Sequence, residues 1–359
     1  MKNKKKIAIL YSGGKSFGGI EQYLMNLLDN IEDKSIEIEV LSLGNWDLTQ
    51  RLKEIGITPI IFSDRRVNFR VISEIGKYLK KHQFDLLVSQ GTVSNAYGRA
   101  ISWIYKIPNL VTVHSNQADD YANPVVRVVY GFVDRVMRFS TVKYIAVSKY
   151  IRSKMIQSGI PSKNISVIYN GVGFDKPTPR PHKRLVIGSV GRLHQVKGFD
   201  LLIEAFSLLD NQRLRLKIAG DGDELRALKK LADDLGVADR VEFVGFQKDI
   251  NAFLDSLDVY VQPSRSEGFG LAVVEAMSRC LPVIVTPVGS LGEIVSDGKT
   301  GLVATGLAPN CLVDEISYMV ENYEASKKMG ENARDFVIEK FNKDKWIKST
   351  INAYKEVIK

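Results

Sequence analysis

The chain of 359 residues lacks most of what would place it across or outside a membrane. It has two cysteines, Cys280 and Cys311. Two make neither a disulfide framework nor a metal cluster, and a reducing cytoplasm fits. No apolar run approaches the roughly 20 residues needed to span a bilayer. The opening MKNKKKIAILYSGG is basic and then apolar, as a signal peptide is. Its apolar part is only Ile7 to Leu10, below the roughly 7–15 residues of such a region, so a lysine-capped first strand is expected instead. No segment is of low complexity, and no repeat stands out beyond two similar halves.

What is present is soluble-globular in character, with 45% hydrophobic and 25% charged residues. The length suits two domains rather than one. The net charge of +9 is uneven: residues 1–175 carry 24 Lys/Arg against 15 Asp/Glu, and the remainder carries 26 of each. A basic first half suits nucleic acid, a phosphorylated acceptor or a membrane surface, or serves solubility alone. No aromatic-basic recognition motif appears, which argues against nucleic acid.

Along the chain, short β-branched runs alternate with amphipathic stretches. KKIAILY reads as a strand, GGIEQYLMNLLDNI as a helix, SIEIEVLSL as a strand and VISEIGKYLKKH as a helix. After the proline-rich GFDKPTPRPHKR the alternation restarts with RLVIGSVGR and GFDLLIEAFSLL. This predicts an α/β protein of two doubly wound, Rossmann-like domains facing a cleft. The expected divisions are an acceptor domain over 1–174, a linker over 175–183 and a nucleotide-sugar domain over 184–340. Residues 341–359 read as a basic amphipathic helix burying Trp346, Ile347, Ile351, Tyr354 and Ile358, with packing back on the first domain as an option.

The loop YSGGKSFGGIEQY invites a phosphate-loop reading, which fails. Were Lys15 and Ser16 its last pair, the first glycine would fall on Ile9; started at Gly13, the lysine would fall on Gly19. Gly18 and Gly19 then either let a ligand approach the backbone at a helix start or serve turn geometry only.

Two stretches of the second half are richer. In SVGRLHQVKGF, Arg192 and Lys197 leave the end of a strand. They can hold a diphosphate and stabilise it as a leaving group, or simply be solvated. In PSRSEGFGLAVVEAMSRC, Glu267 precedes Glu275 by eight residues. The amides of Phe269, Gly270 and Leu271 open a helix and can bind phosphate. Glu275 either accepts from ribose hydroxyls or pairs with Arg279 at i+4.

Taken together, GGIEQY, VTVHS, VIYNGV, VGRLHQVKG, AGDG, VGF and SRSEGFGLAVVEAMSRCLPVIVTPVGS resemble the retaining GT-B glycosyltransferases of family 4, in order and over nearly the whole chain. The resemblance implies that Arg192 and Lys197 bind the donor diphosphate and that Glu275 holds the ribose. It gives Glu267, Phe269 and Gly270 to donor sugar and phosphate, and the backbone near Gly245 and Phe246 to the base. Gly18 and Gly19 would approach the diphosphate or sugar, and His114 the sugar near its reacting carbon. The donor would be a nucleoside diphosphate sugar, most often a UDP-sugar, with no permanent cofactor and no metal. Asp221 to Asp223 would form a turn, not a metal pair. Gly173 stands where the family commonly has aspartate, and Ser115 where a second polar partner often follows the histidine.

Two basic clusters bear on the acceptor. Arg65, Arg66, Arg70, Lys77, Lys80 and Lys81 surround Val67, Phe69, Val71, Ile72, Ile75, Tyr78 and Leu79, and Arg127, Arg135, Arg138 and Lys143 flank a second apolar run. Each suits an anionic membrane surface, or, for the first, an ordinary helix packed on its own sheet. The expectation is a cytoplasmic transferase, peripheral on the inner face of the membrane, with a glycan or lipid-linked acceptor in cell-surface polysaccharide or glycolipid synthesis. A sugar phosphorylase or epimerase of the same architecture, or a non-catalytic partner subunit, is the alternative.

Overall fold

The computed structural model describes residues 4–13, 18–63, 68–115, 134–178 and 185–358. It divides into two compact units, 1–169 with 344–359, and 170–343.

In the first unit seven parallel strands take the order β3-β2-β1-β4-β5-β6-β7. They are β1 (Lys5–Tyr11), β2 (Ile36–Ser42), β3 (Ile60–Ile61), β4 (Leu86–Gln90), β5 (Asn109–Val113), β6 (Thr141–Ala146) and β7 (Ile165–Val167). Among the described residues they are accompanied by α1 (Gly19–Leu28), α2 (Asp47–Glu54), α3 (Arg70–Lys81), α4 (Thr92–Tyr105) and α5 (Lys149–Gln157). Central strands are apolar throughout because helices cover both faces; Ile7 to Leu10 are wholly buried.

The second unit repeats the plan with six strands, β10-β9-β8-β11-β12-β13. These are β8 (Val186–Val190), β9 (Arg215–Ala219), β10 (Val241–Gly245), β11 (Val259–Gln262), β12 (Val283–Val285) and β13 (Leu302–Val303). Its helices are α6 (Phe199–Ser207), α7 (Leu225–Asp234), α8 (Ile250–Leu254), α9 (Leu271–Ser278), α10 (Leu291–Ile294), α11 (Pro309–Glu321) and α12 (Tyr323–Lys340). Strand order reverses between β8 and β11. Loops leaving neighbouring strands at such a point part to opposite faces and open a crevice at the carboxyl ends.

The last helix, α13 (Lys343–Val357), buries Trp346, Ile347, Ile351 and Tyr354 in the first unit's core beside Ile7, Ile9, Tyr23 and Leu24. Lys355 adds an ion pair to Asp33 at 2.6 Å.

The first basic cluster is only partly described, since Arg65, Arg66 and Val67 lie outside the described residues, as does Arg127 of the second. On α3 the apolar positions Val71, Ile75 and Leu79 are buried against the unit's own sheet. The helix turns Arg70, Glu74, Lys77, Lys80 and Lys81 outward, with Phe69 exposed at its start. Of the two readings of this segment, this is the helix packed on its own sheet. In the second cluster Arg138 pairs with Asp134 and Lys143 with Glu356, so neither is a spare cation.

Because α13 completes a core layer, Trp346→Ala is expected to destabilise the first unit by about 3–5 kcal/mol. Chemical denaturation followed by far-UV circular dichroism checks this.

Candidate active site

The carboxyl ends of β8 and β11 carry the residues that matter most. From β8 the chain passes Gly191 and the exposed Arg192, then makes one 3-10 turn over Gln195–Lys197. Gly198 follows at φ +66, in the left-handed region that favours glycine. A Cβ there would lie 2.1 Å from the Pro263 carbonyl oxygen, so only glycine lets this loop touch the loop leaving β11. The Arg265 amide donates to Val196 O at 2.8 Å. The Arg265 guanidinium grips both oxygens of Asp200 at 2.7 Å. Partial burial of Asp200 works the other way, but Arg265 prevails and holds its carboxyl below the usual range.

The two loops so fastened bring two candidates into contact. Lys197 Nζ donates to Glu267 Oε2 at 2.7 Å, and Ser264 Oγ donates to the same oxygen at 3.2 Å. The Lys197 and Glu267 side chains are 25% and 12% exposed, so the pair can be reached by a ligand. Arg192 makes no ion pair among the described residues. Glu267 is braced from behind as well. The Ser290 amide donates to its carbonyl at 3.1 Å, and a Cβ on Gly289 would lie 1.9 Å from that oxygen.

Gly270, at φ +87, turns the chain into α9 with no side-chain cap. The first-turn amides of a helix, here including Leu271, have no intrahelical acceptor and carry the positive end of its dipole, a ready anion site. Phe269 is buried, with its ring edge-on to Phe341 at 5.5 Å and its carbonyl accepting from Ser290 Oγ at 2.9 Å. Its side chain is a packing element, leaving only its backbone for a ligand.

Glu275 lies on the second turn of α9, half-buried. Burial pushes its carboxyl up to about 7. It makes no ion pair among the described residues. The i+4 pairing with Arg279 does not form: Arg279 is buried against Asp255, with Nε to Oδ1 at 2.7 Å. At the end of β10, Gly245 has φ +71 and Phe246 is 42% exposed. Asp221 accepts from the Gly222 amide at 2.8 Å, and its carbonyl accepts from the Leu193 amide, as a turn residue does. Among the described residues no group of three or more His, Cys, Asp or Glu could hold a metal ion.

In the first unit, Gly18 and Gly19 start α1. Glu21 reaches back, accepting from the Gly18 amide at 2.9 Å through one oxygen and from the Tyr11 hydroxyl through the other. Lys15 and Ser16 lie outside the described residues. His114 follows β5 with Nε2 2.8 Å from Gln90 Oε1 and its ring edge-on to Tyr23 at 4.6 Å. Burial lowers its pKa to about 3, so the imidazole is neutral. The Gln90 carbonyl assigns the proton to Nε2 and leaves Nδ1 as the acceptor.

Sequence reading missed Ser264, Arg265, Asp200, Gln90 and Glu21. For Ser264 a signal was available, because Tyr260, Gln262 and Ser264 alternate along a strand and so share a face.

Comparison with known proteins bears on the chemistry of these loops. Residues 174–336 match the family model described as glycosyl transferases group 1, and residues 17–176 match that of glycosyltransferase family 4. An uncharacterized glycosyltransferase of Methanocaldococcus jannaschii is 30% identical over 351 residues, covering 95% of each chain. D-inositol 3-phosphate glycosyltransferase of Corynebacterium glutamicum is 27% identical over 361 residues, covering 88% of this chain and 86% of that one. Among solved structures, Anabaena HepE in complex with UDP-glucose superposes with a TM-score of 0.87 at 22% identity, over 98% of this chain and 99% of that one. With two parallel sheets flanked by helices and near full-length matches on both criteria, the chain belongs to the family 4 glycosyltransferases of GT-B fold.

Proposed function

We propose that the chain transfers a sugar from a nucleoside diphosphate sugar, a UDP-sugar by preference, to a glycan or lipid-linked acceptor in cell-surface polysaccharide or glycolipid synthesis, with retention at the anomeric carbon. The observation that carries this reading is the Lys197–Glu267 contact beside the α9 N-terminus, at the strand-order reversal of the second unit. There a cation and a carboxylate from two different loops meet at one sheet end, with the helix amides following the carboxylate in the chain. A pyrophosphate needs the first and third, and a sugar hydroxyl needs the second. The UDP-glucose in the Anabaena structure supports the donor class.

In this reading Arg192, Lys197 and the amides of Gly270 and Leu271 hold the diphosphate. Glu267 and the Phe269 backbone meet the sugar and phosphate, and Glu275 accepts from the ribose hydroxyls. Gly245 and Phe246 border the base. Gly18 and Gly19 serve the diphosphate or sugar, and His114 offers Nδ1 to the sugar near the reacting carbon. The bond from the anomeric carbon to phosphate oxygen breaks, its electron pair leaving with the nucleoside diphosphate. The acceptor hydroxyl adds on the same face, and the departing phosphate oxygen takes its proton. Lys197, Arg192 and the amides stabilise the growing charge, so the step needs no metal.

We further place a peripheral membrane contact on the first unit. Trp103 and Phe139 lie edge to face at 6.1 Å, 51% and 68% exposed, with Ile104, Val136 and Val142 also exposed. Lys106 and Arg135 are exposed beside them in sequence, while Asp134, next to Arg135, is buried against Arg99 and Arg138. Aromatic side chains with a cationic surround suit an acidic lipid surface.

Lys197→Ala is expected to lower kcat/KM about a hundredfold to a thousandfold, measured as UDP release from the donor. An ionised Glu275 accepts from two ribose hydroxyls more strongly than a protonated one, and burial raises its carboxyl to about 7. Affinity for UDP-glucose, whose phosphates do not titrate in this range, should therefore rise between about pH 6 and pH 8, and Glu275→Gln should flatten that slope. Calorimetry across pH reads both. Flotation with phosphatidylglycerol vesicles at low salt should retain the wild-type chain and lose the Trp103→Ser, Phe139→Ser double variant; wild-type protein left in the bottom fraction would exclude the membrane contact.

A further inference from the structure

Behind the Lys197–Glu267 contact runs a row of buried polar side chains with no part in the chemistry described above. Tyr260, Gln262 and Ser264 alternate along β11 and its exit and are 0%, 1% and 0% exposed. The Tyr260 hydroxyl lies 2.6 Å from Gln262 Oε1, Gln262 Nε2 lies 2.8 Å from Ser264 Oγ, and Ser264 Oγ lies 3.2 Å from Glu267 Oε2.

The direction of this chain is fixed at both ends. Burial, with the fields of Glu267 and Glu275 adding to it, pushes the Tyr260 phenol well above its ordinary range, so it keeps its proton and donates. At the other end a carboxylate in an ion pair can only accept, so Ser264 must donate to it. Gln262 can then stand only one way, carbonyl toward the phenol and amide toward the serine. The short hydrogen bond from each of the three side chains runs toward Glu267, with the Val190 carbonyl a longer second acceptor for the Tyr260 hydroxyl at 3.5 Å, and hydrogen bonds aligned in this way polarise one another. Lys197 and Ser264 share the single oxygen Oε2, while Oε1 accepts no hydrogen bond among the described residues.

Lys197 cannot serve two anions equally. A pyrophosphate reaching its ammonium competes directly with Glu267, and a carboxylate deprived of its cation is free to turn unless something else holds it. We propose that Tyr260, Gln262 and Ser264 form a one-way hydrogen-bond relay that keeps Glu267 in place when Lys197 moves to the donor's pyrophosphate, leaving Oε1 aimed at a donor-sugar hydroxyl. Gln262 and Ser264 are thus positioning residues. The inference rests on the reading of Lys197 as a pyrophosphate ligand. The loop backbone does not need the relay to stay folded, since Thr286 Oγ1 donates to the Ser264 carbonyl at 2.6 Å and the Arg265 amide is held separately by Val196.

The test uses the full chain and whichever of UDP-glucose, UDP-galactose and UDP-N-acetylglucosamine the wild type cleaves fastest, with UDP release as the signal. Ser264→Ala should lower kcat about tenfold or more, the scale of one hydrogen bond to a charged group. KM for the donor should stay within about threefold, with kcat taken per folded molecule from circular dichroism, because loss of folded protein by itself also lowers apparent kcat at unchanged KM. Gln262→Met should show a smaller fall and Tyr260→Phe the smallest. The last removes one oxygen from a ring that otherwise packs unchanged, and so keeps the series informative if an apolar side chain at 262 or 264 prevents folding. Folded variants with wild-type kcat, or a fall carried entirely by KM, would overturn the relay while leaving the transferase reading intact. No UDP release by the wild type from any of the three donors would overturn the donor reading, and the relay with it.

Discussion

One contact organises the second unit: the Lys197 ammonium against the Glu267 carboxylate at 2.7 Å. It joins loops that leave strands on either side of the strand-order reversal, and it exists only because those loops touch through backbone. Gly198 against Pro263 allows that approach, and Gly289, in the loop after β12, comes as close to the Glu267 carbonyl, where any Cβ would collide. The Arg265–Asp200 pair and the Arg265–Val196 hydrogen bond hold the same two loops together a few residues away. The backbone is therefore over-determined at the place where the side chains must stay adaptable, which is the arrangement a site needs if one cation is to leave a carboxylate for a substrate.

The two carboxylates of the E-x7-E segment sit in different surroundings and suit different roles. Glu267 lies in an ion pair with a second donor, Ser264, on the same oxygen. Glu275 has neither, and burial alone raises it to about 7. The first suits a fixed orientation toward a sugar, and the second suits an acceptor whose charge is completed by the ligand it binds. His114, in the other unit, is neutral and anchored through Gln90.

The order of strands and helices was readable from residue pattern because burial on both faces makes the parallel strands apolar and the helices 3.6-periodic. The segments KKIAILY, RLVIGSVGR and GLAVVEAMSRC contain β1, β8 and α9. What pattern could not supply was the partner of each charge. The i+4 rule offers Arg279 to Glu275, yet Arg279 sits at the end of α9, turned to an aspartate 24 residues earlier. Arg138 and Lys143 look like free cations until Asp134 and Glu356, the latter from the far end of the chain, come alongside them. Amphipathicity showed that α3 has an apolar face but not that its own sheet covers it. Resemblance to a family pointed to Lys197 and Glu267 separately; the alternation of Tyr260, Gln262 and Ser264 behind them went unread because a buried polar strand face looks like any other strand.

The account stands or falls on where a nucleotide's phosphates lie. A crystal structure of the chain with UDP is the direct measurement. The account requires a phosphate oxygen within hydrogen-bond distance of Lys197 Nζ and of an amide at the start of α9, with Ser264 still on Glu267. Phosphates bound elsewhere, with Lys197 remaining on Glu267, would contradict it.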